Sequence, residues 1–430
     1  MTVDSQEALE LLDTDEGRRD PYPLYERLRE YPPTYDERHQ ATVVVRYADC
    51  VRALSGRAFG RPDAAWVKRR IPTWEDHPAV RCLMQTMQFG DTESHPRRRS
   101  VVNRFFTKRR IASHVAAESA TVDVLVDDLA ADIAARGEAD VQEVLSYRLP
   151  SFSIARVLGL PEHEIAGFRP QSLALANLLE PQLSEQDLAA ADRSFEDLLE
   201  YFGHVIEACR RDPGENLASH LVQVHDTDPG ILSADELTSM FASIFVAGTM
   251  NTSNFIGNGV AALLDTPDAV ARLRADPGLV RSAMTEILRY DAPMQVTRRI
   301  TLDTTELGGT TLPAGAELAV VLGSANRDPS AYAAPDTFLV DRAGPPPLSF
   351  GGGPFYCIGA AMGQAEGALI FTKLVSRLPG LRATGSPEHN LRSVLRGFLH
   401  LPVTADVRTG GQQPQVLLPG RCDGHDGSTG

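Results

Sequence analysis

The stretch that most constrains this chain begins at Ser233-Ala-Asp-Glu236, where a serine and a glutamate three apart read as a capping box. The helical run that it opens continues to about Leu264, roughly 32 residues and ~48 Å at 1.5 Å per residue. Its middle, MFASIFVAG, is apolar on every side. Such a helix has to cross the whole molecule, and the remaining elements have to pack around it. Residues 116–135 and 183–211 repeat apolar positions at helical spacing, the second run stopping at Asp212-Pro213-Gly214. Strand signals are few: Ala41–Arg46, and a ladder of short pieces from Gln295 to Leu322. The expected fold is mainly α with a small β portion.

Length enters here. At 430 residues several domains are allowed, but no Pro/Gly/Ser linker separates them. One large domain is expected over residues 21–407, after a flexible acidic lead (1–20) and before a disordered tail (408–430). A net charge of −15 argues against nucleic-acid binding. No apolar run approaches the ~18 residues of a membrane span. The acidic N-terminus lacks a basic-then-apolar signal, and five scattered cysteines fit a reducing compartment rather than a disulfide framework or zinc site. A cytoplasmic, monomeric protein is expected.

The chemistry concentrates in Pro345-Pro-Pro-Leu-Ser-Phe350-Gly351-Gly-Gly353-Pro-Phe355-Tyr-Cys357-Ile-Gly359 and the apolar helix behind it. A rigid Pro/Gly run delivers one cysteine to a helix start. Free N–H groups and the helix dipole there favour thiolate. Gly351, Gly353 and Gly359 remove side chains where the backbone approaches something flat and large, and Phe350 can shield the sulfur. A desolvated thiolate beside a flat cavity suits an axial iron ligand.

This loop resembles the haem-binding loop of cytochrome P-450 in its soluble bacterial form, Phe-x-x-Gly-x-x-x-Cys-x-Gly. The resemblance implies a haem-thiolate monooxygenase binding haem b (iron protoporphyrin IX), with Cys357 as metal ligand. Other segments are similar to the family's. Glu286 and Arg289, at i,i+3, with Arg342, look like its structural Glu-x-x-Arg network. His95 and Arg99, with Arg299, look like its propionate-binding residues. Ala247-Gly248-Thr249-Met250-Asn251-Thr252 aligns with its Ala-Gly-x-acid-Thr-Thr, Gly248 leaving room for dioxygen. Further likenesses at Asp20–Tyr25, Asn326–Pro329 and Arg396–Leu399 extend the resemblance over nearly all of residues 20–405.

The pattern also breaks. Met250 and Asn251 occupy the acid–alcohol positions; methionine supplies no proton and asparagine does not titrate. Thr252 lies one residue along, ~100° round the helix. Phe355 and Pro347 stand where histidines are usual, which shifts propionate anchoring onto His95, Arg99 and Arg299. Proton delivery through ordered water or the substrate itself is expected, with Gly248, Met250, Asn251 and Thr252 as candidate catalytic positions.

The implied substrate is a mid-sized hydrophobic small molecule, free or tethered to a carrier protein, oxidised in secondary-metabolite (antibiotic) biosynthesis. Met87, Phe245, Val296, Thr297 and Phe398 are candidate pocket residues. Electrons are expected from a ferredoxin and its reductase, steered by seven basic residues (Arg97, Arg98, Arg99, Arg104, Lys108, Arg109, Arg110). The alternatives are an altered or inactive haem-binding scaffold or sensor, and the same fold performing rearrangement, coupling or peroxide-driven oxidation.

Overall fold

A computed structural model describes residues 4–90 and 92–407; the expected tail lies outside the described residues. The central helix spans Ala234–Leu264, 31 residues, and both halves of its capping box are formed between Ser233 and Glu236. Glu236 is also an anchor. Its carboxylate accepts from Arg97 (3.0 Å) and Arg98 (2.8 Å), which fastens the helix His95–Asn103 to the start of the central one. These cations hold the Glu236 carboxyl down at about 2, against the opposing effect of burial.

Around the central helix lie Lys108–Arg136, Arg148–Leu158, Glu185–Arg211 and Ala360–Arg377. The expected helix over 183–211 has a serine–aspartate capping box at Ser184 and Asp187 and ends at Asp212, next to the Pro-Gly stop. The ladder between Gln295 and Leu322 resolves into four strands. Two of them, Val296–Thr301 and Glu317–Val321, join a five-stranded sheet with Thr34–Asp36, Ala41–Val44 and Phe59–Gly60. Arg299 pairs with Leu318 in that sheet, which fixes the side of the strand from which its guanidinium projects.

Residues 4–20 differ from the expected loose lead. Ser5–Leu12 and Asp15–Arg19 are helical, capped by the side chains of Asp4 and Thr14. Ala8 and Leu9 are buried against Tyr25, Leu28 and Val43.

The Glu286–Arg289–Arg342 network forms as expected. Arg289 Nε and Nη2 donate to the two Glu286 oxygens at 2.7 and 2.9 Å, and Arg342 Nε donates to both at 2.9 and 3.0 Å. Arg289 also donates to the Asn326 carbonyl (3.0 Å). The Asn326 side chain in turn accepts from Leu348 N–H (2.7 Å) and donates to Ser349 Oγ (2.8 Å), directly ahead of Phe350. The pair therefore braces the cysteine loop from behind. Replacing Arg289 by alanine removes two donors from a carboxylate that is 1 % exposed and leaves it to Arg342 and the Leu339 N–H. The expected cost is about 3–5 kcal/mol, as for other broken buried pairs. A urea unfolding midpoint corresponding to less than about 1 kcal/mol of loss would contradict this role.

Candidate active site

Gly351 and Gly353 lie at φ +72° and +63°, backbone that glycine adopts freely. A Cβ on Gly353 would stand 2.6 Å from the Leu54 carbonyl oxygen, so the loop's close approach to the helix Tyr47–Ser55 needs a glycine there. Gly359 has ordinary backbone, and a Cβ there would lie 3.9 Å from Cys357 Sγ. Cys357 N–H donates to the Phe350 carbonyl (2.9 Å), closing the loop on itself.

Cys357 opens onto a cavity of about 290 Å³ between the loop and the central helix. Phe350, Gly351, Gly359 and Met362 line the loop side; Ala247, Gly248, Asn251 and Thr252 face them. The expected thiolate does not follow from the helix start alone. Burial pushes the Cys357 thiol above its usual value, against the opposite pull of the Gly359 and Ala360 N–H groups and Arg99. A cation bonded to the sulfur is what ionises such a thiol.

One edge of the cavity is unusually cationic. His95, Arg99 and Arg299 line it as expected, and Arg61, which no motif marked, joins them. Arg61 Cζ stands 4.5 Å and Arg299 Cζ 5.1 Å from the centroid of the Phe355 ring, and the His95 ring meets that ring edge-on at 4.6 Å. Burial drives the Arg299 guanidinium down to about 10. Arg61 falls well below its ordinary value through burial and then through the nearby charges of Arg299 and Arg99. The Nε atoms of both are buried without a hydrogen-bond partner. Burial also lowers His95, whose ring nitrogens face the Met87 (3.0 Å) and Pro354 (3.3 Å) carbonyls. Clustered buried cations with unused donors call for an anion. A flat group with two carboxylates at one edge and a metal above the sulfur meets both demands, so the residues fit haem b.

Several expected pocket residues are placed otherwise. Met87, Val296 and Thr297 line the cavity. Phe245 instead packs in the core between Phe168 and Phe202, and Phe398 lies in the core against His389. Met250 does not line the cavity: it is buried among Ala176, Leu395 and Val394, only the last of which reaches the cavity wall, which corrects its candidacy as a catalytic position. At Gly248 the space left by the missing Cβ is filled by Ile154, whose Cδ1 would stand 2.8 Å from that atom; glycine there serves helix packing as well as the cavity wall. Asn251 Nδ2 donates to the Ala247 carbonyl (3.3 Å), leaving its oxygen for the cavity, and Thr252 shares the wall despite its rotation along the helix.

Sequence reasoning also missed a buried titratable cluster on the cavity's border. Glu366 and Ser153 line the cavity, and the Ser153 hydroxyl donates to Glu366 Oε1 at 2.5 Å. Behind them His114 Nε2 lies 2.9 Å from Ser153 Oγ, 2.9 Å from Glu118 and 3.3 Å from Glu366. The two carboxylates raise His114 to about 9 despite its burial. The basic stretch is smaller at the surface than expected. Arg97 and Arg98 are committed to Glu236 and Arg99 to the cavity wall; Arg104, Lys108, Arg109 and Arg110 are exposed.

Residues 163–399 match the family model described as Cytochrome P450. The chain is 34 % identical over 392 residues to the cytochrome P450 monooxygenase PikC of Streptomyces venezuelae, covering 89 % of this chain and 91 % of that one. It is 33 % identical over 406 residues to the 6-deoxyerythronolide B hydroxylase of Saccharopolyspora erythraea, covering 92 % and 98 %. Among solved structures it is similar to P450BioI in complex with a hexadec-9Z-enoic acid-ligated acyl carrier protein. The TM-score is 0.83 at 26 % identity, over 91 % of this chain and all of that one. The likeness spans both the cysteine loop and the helix opposite it, and the chain belongs to the cytochrome P450 family of monooxygenases, which bind haem b through a cysteine thiolate.

Proposed function

We propose that this enzyme oxidises a mid-sized hydrophobic small molecule in a tailoring step of secondary metabolism, with electrons from a ferredoxin and its reductase. One observation carries the reading. Cys357 faces the Ala247–Thr252 face of the central helix across a cavity bordered by Arg61, Arg99 and Arg299. In this reading Cys357 ligates the iron, and His95, Arg99, Arg299 and Arg61 hold the propionates. Bound haem supplies activation of dioxygen for insertion into an unreactive bond.

The protein's own groups do the rest. Met87, Val296, Thr297 and Leu179 present an apolar wall that orients the substrate and excludes water. The PikC and 6-deoxyerythronolide B hydroxylase likenesses support a tailoring role, and the P450BioI likeness supports a carrier-tethered substrate as one form of delivery. Since Met250 faces the core, protons come from elsewhere. Water in the cavity, which Asn251 holds through its side-chain oxygen, or the substrate's own hydroxyl or carboxyl group supplies them. Arg104, Lys108, Arg109 and Arg110 attract an acidic ferredoxin.

Substrate oxidation dependent on NADPH, ferredoxin and reductase is the expected result. It slows as salt rises, and slows further in an Arg104→Glu/Lys108→Glu variant, whose salt dependence flattens. Product formed with peroxide but not with the electron chain would favour the peroxide-driven alternative, and product with neither would favour a scaffold or sensor. In Asn251→Ala the product formed per NADPH consumed drops by up to about tenfold, the value of one net hydrogen bond. Unchanged turnover and coupling would remove Asn251 from the proton path.

A further inference from the structure

A second cavity, of about 100 Å³, lies beside the main one, and Val296, Arg298 and Val394 line both. These three residues stand where the two cavities adjoin. Its far wall is built by the N-terminal helices, through Leu9, Leu12 and Arg18. The ion pairing around it is uneven. Asp36 faces His39 (2.7 Å) and Arg396 donates to Asp291 (2.7 Å). Arg298 is bonded to Glu317, and Asp13 lies closer to Arg38 (3.1 Å) than to Arg18 (3.8 Å). Glu180, the carboxylate nearest Arg392, accepts from the Ser393 and Val394 N–H groups at 2.9 and 3.1 Å.

Three donors are left over. Arg18 Nε, Arg392 Nη1 and the Ser393 hydroxyl are buried, line this cavity and have no hydrogen-bond partner. Buried guanidinium N–H groups without acceptors are costly, and a carboxylate or phosphate oxygen is the acceptor that satisfies them best. On the opposite side Val296 and Val394 also line the apolar chamber.

We propose that the second cavity binds an anionic end group, a carboxylate or a phosphate, of a substrate whose apolar body lies in the main chamber. This rests on reading the main cavity as the haem and substrate chamber. Arg18 and Arg392 are positioned to bind rather than to react, and the N-terminal helices become part of the specificity apparatus. The enzyme then discriminates between an acid and its ester, or between phosphorylated and unphosphorylated forms of a carrier arm.

The test is calorimetric titration of the haem-loaded full chain with two probe pairs. The first is dodecanoate against methyl dodecanoate; the second is dodecanoyl phosphopantetheine against dodecanoyl pantetheine. At least one pair is expected to show the anionic member binding about tenfold or more tightly, the size of one charge-assisted hydrogen bond. Preference in the first pair points to a free acid, and in the second to a carrier arm. Arg392→Gln and Arg18→Gln each reduce the ratio toward one, whereas Arg392→Lys keeps part of it. Equal binding within both pairs, no binding by any probe, or a preference that survives both glutamine variants overturns the proposal. The carbonyl spectrum of the reduced protein, recorded on the same samples, separates the two readings. A normal spectrum without anion preference removes the second site alone, and an abnormal spectrum with the preference intact removes the chamber reading alone.

Discussion

One buried carboxylate underlies the site. Glu286 is shared by Arg289 and Arg342, and through Asn326 that arrangement reaches the backbone at Leu348 and Ser349. Two positive φ values then turn the chain, and the Gly353 backbone packs directly on Leu54 and Ser55. The loop, whose one regular piece is the short turn Gly353–Phe355, is thereby tied to two neighbouring elements. Cys357, which would hold the haem iron, is in this way fixed from both sides of its loop, as a metal ligand needs.

Across the cavity the central helix imposes the complementary constraint. The helix is fixed at its start by Glu236, which caps it while holding Arg97 and Arg98. Those arginines stand in the same helix as His95 and Arg99, so one carboxylate sets the relative placement of the oxygen-side helix and the cationic edge. The uncompensated charge of Arg61, Arg99 and Arg299 costs folding free energy in the protein alone. In the proposed reading that cost would be recovered on binding a dianionic cofactor; the Phe355 ring, where a histidine is usual, supports two of the cations.

Local signals were legible in the sequence and convergent ones were not. The capping boxes at Ser184 and Ser233, the Asp-Pro-Gly stop and the cysteine loop all act within a few residues, and each is observed at its expected place. The N-terminal helices escaped because they are eight and five residues long and bury little beyond Ala8, Leu9 and Gly17. Arg61 escaped because no local motif contains it; His114 and Glu118 stand at i,i+4 on one helix, but Glu366, which completes their cluster, comes from another helix far along the chain. Met250 and Phe245 were misplaced for a helical reason: neighbours of cavity residues point ~100° away, here into the clusters around Val394 and Phe202. Cys357 shows the limit of local electrostatics, since burial outweighs two N–H groups and an arginine.

The central claim is that the Cys357 sulfur is bonded, ionised, to the iron of a haem held by this cationic edge. The most direct measurement is the absorption spectrum of the haem-loaded protein after reduction and exposure to carbon monoxide. The account predicts the strongly red-displaced carbonyl band that a thiolate ligand produces, and its loss in Cys357→Ala. A wild-type protein that takes up haem without showing that band, or a Cys357→Ala variant that keeps it, would contradict the account.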